Sequence, residues 1–64
     1  MVKEATKQQV FYALKKNGNP SFAREVARTA GVAEATATKG LLELAAEGKV
    51  RLLRKGRFFL YSLA

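Results

Sequence analysis

The 64-residue sequence lacks cysteine, histidine, aspartate and tryptophan. Without cysteine the chain forms no disulfide, and without histidine it also lacks the other common ligand of zinc and most transition metals. We therefore expect neither a metal site nor a cofactor. Glutamate is the only acidic residue type, its five copies are scattered, and no glycine-rich phosphate loop is present, so we do not expect an enzyme.

Long apolar runs are also missing. No run approaches the roughly 20 residues that span a bilayer, and the N-terminus has no apolar core of the kind found in signal peptides. We therefore expect no membrane segment and a cytoplasmic location, in a prokaryotic cell or in its virus or plasmid. The length predicts a single domain over residues 1–64.

The charge of the chain is strongly one-sided. Lysine and arginine number 12 against five glutamates, which gives a net charge of +7 at pH 7. This density of positive charge favours a polyanionic partner, with nucleic acid ahead of an anionic membrane surface. The alternative is a solvated surface that only maintains solubility.

The apolar periodicity predicts three helices. A cluster of helix-breaking residues, 17–20, separates the first two, and Phe22 is predicted to insert into the core after it. Gly31 is expected to supply a positive φ at the sharp turn before the third helix. The predicted elements are a helix over Glu4–Asn17, an extended stub at Ser21–Phe22, a helix over Ala23–Ala30, a turn at Gly31–Val32 and a helix over Ala33–Glu47.

Alternating apolar residues near the C-terminus predict a β-hairpin with a two-residue turn at Lys55 and Gly56. The predicted cross-strand pairs are Arg54 with Arg57, Leu52 with Phe59 and Val50 with Tyr61. The face predicted to lie on the core holds Val50, Leu52, Phe59, Tyr61 and Leu63.

The segment Ala23–Leu44 resembles the helix-turn-helix of winged-helix bacterial and archaeal repressors, a group that includes MarR-type, ArsR-type and LexA-type domains. The matching features are the small Ala27, the turn at Gly31 and Gly48 before the first strand. The resemblance implies a mainly α fold with a small β-hairpin, a winged helix-turn-helix of three helices plus a two-stranded wing. It also implies a sequence-specific double-stranded DNA-binding transcription regulator, most simply a repressor, with the third helix in the major groove.

Close crossing of the second and third helices is predicted to place Ala27 against Ala37 and Gly40. Glycine inside a helix costs roughly 1 kcal/mol relative to alanine, which indicates either a crowded position or a neutral accident at Gly40.

The outward side of the third helix would read the DNA. Lys39 would contact a phosphate or a guanine edge, and Thr38 would bond a base or offer its methyl group to a thymine. Glu34 would accept from a cytosine amino group or simply favour the positive helix N-terminus. Ala33 stands where serine or threonine usually caps this helix. The predicted recognition residues are Ala33, Glu34, Ala35, Thr36, Thr38 and Lys39.

The hairpin carries a second basic cluster, which the resemblance places along the DNA backbone or in the minor groove. The alternative is that these charges only protect an exposed strand edge from aggregation. The predicted wing contacts are Arg51, Arg54, Lys55 and Arg57, to which Arg24 and Arg28 on the second helix are added as backbone contacts.

Some apolar residues exceed what so small a core can bury. They are predicted to form a homodimer or partner interface, unless a twisted hairpin packs them on the first helix: Leu42, Leu53, Phe58 and Leu60. A protein-interaction winged helix or a nonspecific DNA or RNA binder is the alternative function. Readers of Z-form nucleic acid usually have asparagine and tyrosine on the recognition helix and a Pro-Trp wing, and this sequence has none of these there.

Overall fold

The order of elements follows from the apolar periodicity. The computed structural model describes residues 2–18 and 20–64; Met1 and Asn19, the latter part of the predicted breaker cluster, lie outside the described residues. Three helices precede an antiparallel two-stranded hairpin, so the predicted fold class is confirmed. The elements are α1 (Glu4–Asn17), α2 (Ala23–Ala30), α3 (Glu34–Ala46), β1 (Val50–Lys55) and β2 (Phe58–Leu63).

The helices pack around one apolar core. Each contributes a buried aliphatic side chain, Val10 and Leu14 from α1, Val26 from α2 and Leu41 from α3. At the end of α2, Gly31 adopts a left-handed conformation with φ of 74°, and its N–H donates to the carbonyl oxygen of Ala27 at 2.8 Å. Glycine adopts this backbone at low cost, so the turn that orients α3 depends on it.

The hairpin register differs from the prediction. Gly56 and Arg57 form the turn, and the pairs are Lys55 with Phe58, Leu52 with Tyr61 and Val50 with Leu63. The three predicted pairs were wrong, because a tight hairpin turn of this kind needs a positive φ at its first central position, and Gly56 (φ 63°) takes that place. The residue opposite each position of β1 lies two residues further along β2 than predicted. Because the shift is an even number, every side chain keeps its predicted face of the hairpin.

Only the base of the hairpin lies over the helices. Val50 and Tyr61 are buried as predicted, but Leu52, Phe59 and Leu63 are exposed, which corrects the predicted inner face. The stub before α2 extends the sheet, since Ser21 and Tyr61 exchange two backbone hydrogen bonds of 2.9 and 2.8 Å.

Phe22 is not inserted into the core as predicted. Its side chain is 40% exposed, and its ring meets Phe58 edge to face, with centroids 5.9 Å apart. The backbone N–H of Phe22 donates to Glu25 Oε1 at 2.9 Å, which satisfies one free donor at the start of α2. Phe22 therefore links α2 to the outer face of the hairpin.

A partly buried ion pair links the start of α1 to the C-terminal end of α3. Lys7 is only 8% exposed, and its ammonium donates to the carboxylate of Glu47 and lies 3.5 Å from Glu4 Oε1. The hydrogen bond from Lys7 lowers the pKa of Glu47, and the same bond raises the pKa of Lys7. The burial of Lys7 was not predicted from the sequence.

Candidate nucleic-acid interface

The outward side of α3 is defined by what the helix buries. Ala37, Leu41 and Leu44 face the core, so the residues between them in the helical period face solvent. The predicted recognition residues lie there with two qualifications. Ala33 precedes the helix as its extended N-cap and makes no side-chain capping bond, and Thr36 and Thr38 are both half-buried.

Leu42 lies near the middle of this outward side. It follows Thr38 by four residues and Lys39 by three, so the three side chains are neighbours on the helix surface. Leu42 is 47% exposed. Leu42 was predicted only as part of an association surface, although the helical period of α3 already places it beside the predicted recognition residues.

Hydrogen bonding inside α3 restricts what Thr38 can do. Its hydroxyl donates to the carbonyl oxygen of Glu34 at 3.0 Å. The hydroxyl proton is thus used within the helix, and the oxygen remains able to accept from a base amino group. The methyl group remains available for apolar contact.

Glu34 and Arg24 form an exposed ion pair between α3 and α2. Arg24 Nε lies 3.6 Å from Glu34 Oε1, with the side chains 76% and 58% exposed. Such a pair is worth little in water, but it partly neutralises Arg24 and gives Glu34 a local role besides its favourable place at a helix N-terminus.

The second helix, the third helix and the wing border one cleft of about 650 Å³. Five predicted site residues line it: Glu34 and Thr38 from α3, Arg24 and Arg28 from α2, and Arg57 from the turn of the wing. Cationic side chains from two separate segments therefore converge on one surface beside α3. The full lining is Phe22, Ala23, Arg24, Glu25, Arg28, Glu34, Thr38, Arg57, Phe58, Phe59 and Tyr61.

The remaining basic residues of the wing divide between its two faces. By the strand register, Arg54 lies opposite Phe59 on one face, and Lys55 lies opposite Phe58 on the other. Arg51 shares the face of Lys55, and all three cations are exposed. They were predicted as one cluster, whereas the strand register places them on two faces of the wing.

Tyr61 is the buried member of the cleft lining. Burial raises the pKa of its phenol above the usual value, because the charged phenolate loses its hydration there. Its backbone pairs with both β1 and Ser21. Tyr61 therefore anchors the wing to the helices.

Within residues 2–18 and 20–64, no group of three or more histidine, cysteine or acidic side chains could hold a metal ion. None of the helices in this part of the chain combines the length and the apolarity that a membrane span needs.

Comparison with solved structures defines the class of the fold. The Zalpha domain of Carassius auratus PKZ, solved in complex with Z-DNA, superposes with a TM-score of 0.82 at 20% identity, covering 94% of each chain. HOP2, described for its DNA recognition and protein interaction domains and its homologous DNA pairing, gives a TM-score of 0.78 at 24% identity, over 92% of this chain and 98% of that one.

These likenesses establish a winged helix-turn-helix fold. Neither a protein-family model nor a curated protein sequence matches the chain. The resemblance to MarR-type, ArsR-type and LexA-type repressors therefore stays a prediction.

Proposed function

We propose that the chain binds double-stranded DNA through α3 and the wing, and that it acts as a sequence-specific transcription regulator. The observation that carries this proposal is the cleft where Arg24, Arg28 and Arg57 converge beside α3. The two similar folds support it, since one was solved with Z-DNA and the other is described for DNA recognition. The net charge of +7 agrees with a polyanionic ligand.

In this proposal α3 enters the major groove. Lys39 and Thr38 meet base edges, while the wing and α2 contact phosphates on either side. Lys39 is the only cation among residues 34–46, so most of the electrostatic attraction comes from elements that flank the helix. We expect strong salt dependence with a modest specific component.

Regulation would follow from occupancy of a promoter or origin, which makes repression the simplest outcome. A homodimer through Leu53 and Leu60 of the hairpin would bind half-sites about one helical turn apart, whereas the other two residues of the predicted association surface, Phe58 and Leu42, lie in the cleft and on the outward side of α3. Light scattering at high protein concentration tests the dimer, and a purely monomeric solution would exclude it.

Removal of one wing charge tests the interface. We expect Arg57→Gln to reduce the slope of log affinity against log salt by about 0.9, because one phosphate contact is lost. Lys16→Gln on α1 is the matched control, since it removes the same charge from a residue that lines a different groove. Equal effects of the two variants would contradict the proposed interface.

Sequence specificity has its own test. Selection from random duplexes should yield a preferred site, and Lys39→Ala should relax preference at one position of it. If the selected pool stays random although binding depends on salt, the protein binds DNA nonspecifically. That result would refute the proposal of a sequence-specific regulator.

Binding to the left-handed duplex is a second candidate, favoured by the likeness to a Zalpha domain solved with Z-DNA. The absence of the usual asparagine, tyrosine and Pro-Trp residues speaks against it. Titration of an alternating CG duplex distinguishes the two, because only a Z-form binder inverts the near-ultraviolet circular dichroism of that duplex.

A further inference from the structure

Aromatic rings, and not only cations, line the cleft beside α3. Three of the four phenylalanines of the chain, Phe22, Phe58 and Phe59, border it together with Tyr61. Phosphate contacts explain the arginines but give no reason for exposed rings among them. Rings combined with basic residues are instead the arrangement by which proteins hold unpaired bases, since every base can stack on an aromatic face.

Phe58 is the ring best placed to stack. It is 60% exposed, and its ring meets that of Phe22 edge to face at an interplanar angle of 74°. Because the ring already has one packing partner, a base that stacks on it loses less side-chain entropy than it would on an unsupported ring. Lys55 pairs with Phe58 across the two strands, so their side chains are neighbours on the same face of the hairpin.

The charge of the cleft is suited to a nucleotide. Both carboxylates of the cleft already have partners. Glu25 accepts a hydrogen bond from the backbone N–H of Phe22, and Glu34 forms an ion pair with Arg24. Among the described residues, neither Arg28 nor Arg57 takes part in an ion pair. These two guanidinium groups remain free to bind phosphates on either side of a base.

We propose that this cleft receives an unstacked base of the bound DNA, with the base against Phe58 and the flanking phosphates on Arg28 and Arg57. The inference rests on the proposed function, because it assumes that α3 and the wing contact a duplex. The cleft volume of about 650 Å³ lies within the range of about 300–1,000 Å³ that is typical of small-ligand sites. The protein therefore binds a duplex with an unpaired base more tightly than a fully paired one.

The test compares two duplexes of equal length, one fully paired and one with a single unpaired aminopurine, by fluorescence anisotropy. We expect the wild-type protein to prefer the second duplex by about tenfold, a factor equivalent to about 1.4 kcal/mol. Phe58→Ala should bring the affinities for the two duplexes to the same value, while Phe58→Trp should retain the preference for the unpaired base. Tyr12→Ala is the matched control, because Tyr12 is an exposed aromatic (70%) that lines a separate groove on α1.

Each outcome of this comparison either supports or overturns the proposed base-binding cleft. Equal binding of both duplexes by the wild-type protein overturns the inference and leaves the proposed function standing, whereas failure to bind either one ends both. A change of oligomeric state in Phe58→Ala, seen by light scattering, would show that the cleft is a self-association surface and would also overturn it. A change in the fluorescence of the unpaired aminopurine that requires Phe58 supports direct stacking.

Discussion

Replacement of Gly40 by alanine should stabilise the fold, although the sequence suggested that this position is crowded. A Cβ atom at Gly40 would lie 3.4 Å from Val10 Cγ2 and 3.6 Å from Val10 Cβ and Cγ1. These are distances at the short end of ordinary van der Waals contact. Alanine gains about 0.8–1.0 kcal/mol of helix propensity over glycine, and a small adjustment of Val10 offsets part of it. We expect a net gain of about 0.5–1 kcal/mol.

Thermal unfolding followed by circular dichroism measures this gain. In a domain of this size about 1 kcal/mol shifts the Tm by roughly 4–8 °C, so Gly40→Ala should raise the Tm by several degrees. Gly31→Ala is the matched control, because no atom lies within 4 Å of its Cβ position but its φ of 74° strains any other residue. We expect that variant to lose about 1 kcal/mol. A lower Tm for Gly40→Ala would show that α1 and α3 approach too closely for a methyl group, and the propensity argument would be wrong.

Three further predictions concern ionised groups. The pKa of Glu47 is lowered by its bond from Lys7, so the stability from this pair is present above the ordinary glutamate pKa of 4.5 and is lost as the pH falls through the lowered value. Lys7→Met should flatten that acid limb in urea unfolding. Folding also raises the pKa of Lys7 above its ordinary 10.5 and that of Tyr61 above its ordinary 10.0, so the free energy of unfolding should decline as the pH rises past about 10. Tyr61→Phe should remove the part of this decline that comes from the phenol. Arg24→Gln should change stability by less than about 0.5 kcal/mol but weaken DNA binding; a larger stability loss would mean that the exposed pair with Glu34 is structural.

The helices were predictable because their signals are local. The third helix was expected over Ala33–Glu47 and spans Glu34–Ala46, with the two outer residues as its caps. The hairpin register was not predictable in the same way. A turn at Lys55 and Gly56 and a turn at Gly56 and Arg57 both preserve the alternation of apolar and polar side chains along the two strands. The position of glycine within the turn decides between them, and a shift of two residues preserves the pattern of faces.

Prediction of the candidate site required tertiary contacts, which prediction of the helices did not. The sequence identified the basic residues, but only the fold shows that Arg28 and Arg57 border one cleft while Arg54 and Lys55 lie on opposite faces of the wing. Phe22 was assigned to the core because it is large and apolar. Its contact with Phe58 depends on the bridge between Ser21 and Tyr61, which no local pattern encodes.

Leu42 distinguishes between two interpretations of the α3 surface. An apolar side chain beside Thr38 and Lys39 either packs on a second copy of the chain or meets thymine methyl groups in the major groove. Leu42 is half-exposed, so Leu42→Ala should leave the Tm nearly unchanged. If α3 enters the groove, this variant should weaken binding to the selected duplex several-fold more than binding to a random duplex. A uniform loss on both duplexes, together with a lower molecular mass in solution, would instead show that Leu42 belongs to a dimer interface and that the DNA is read elsewhere.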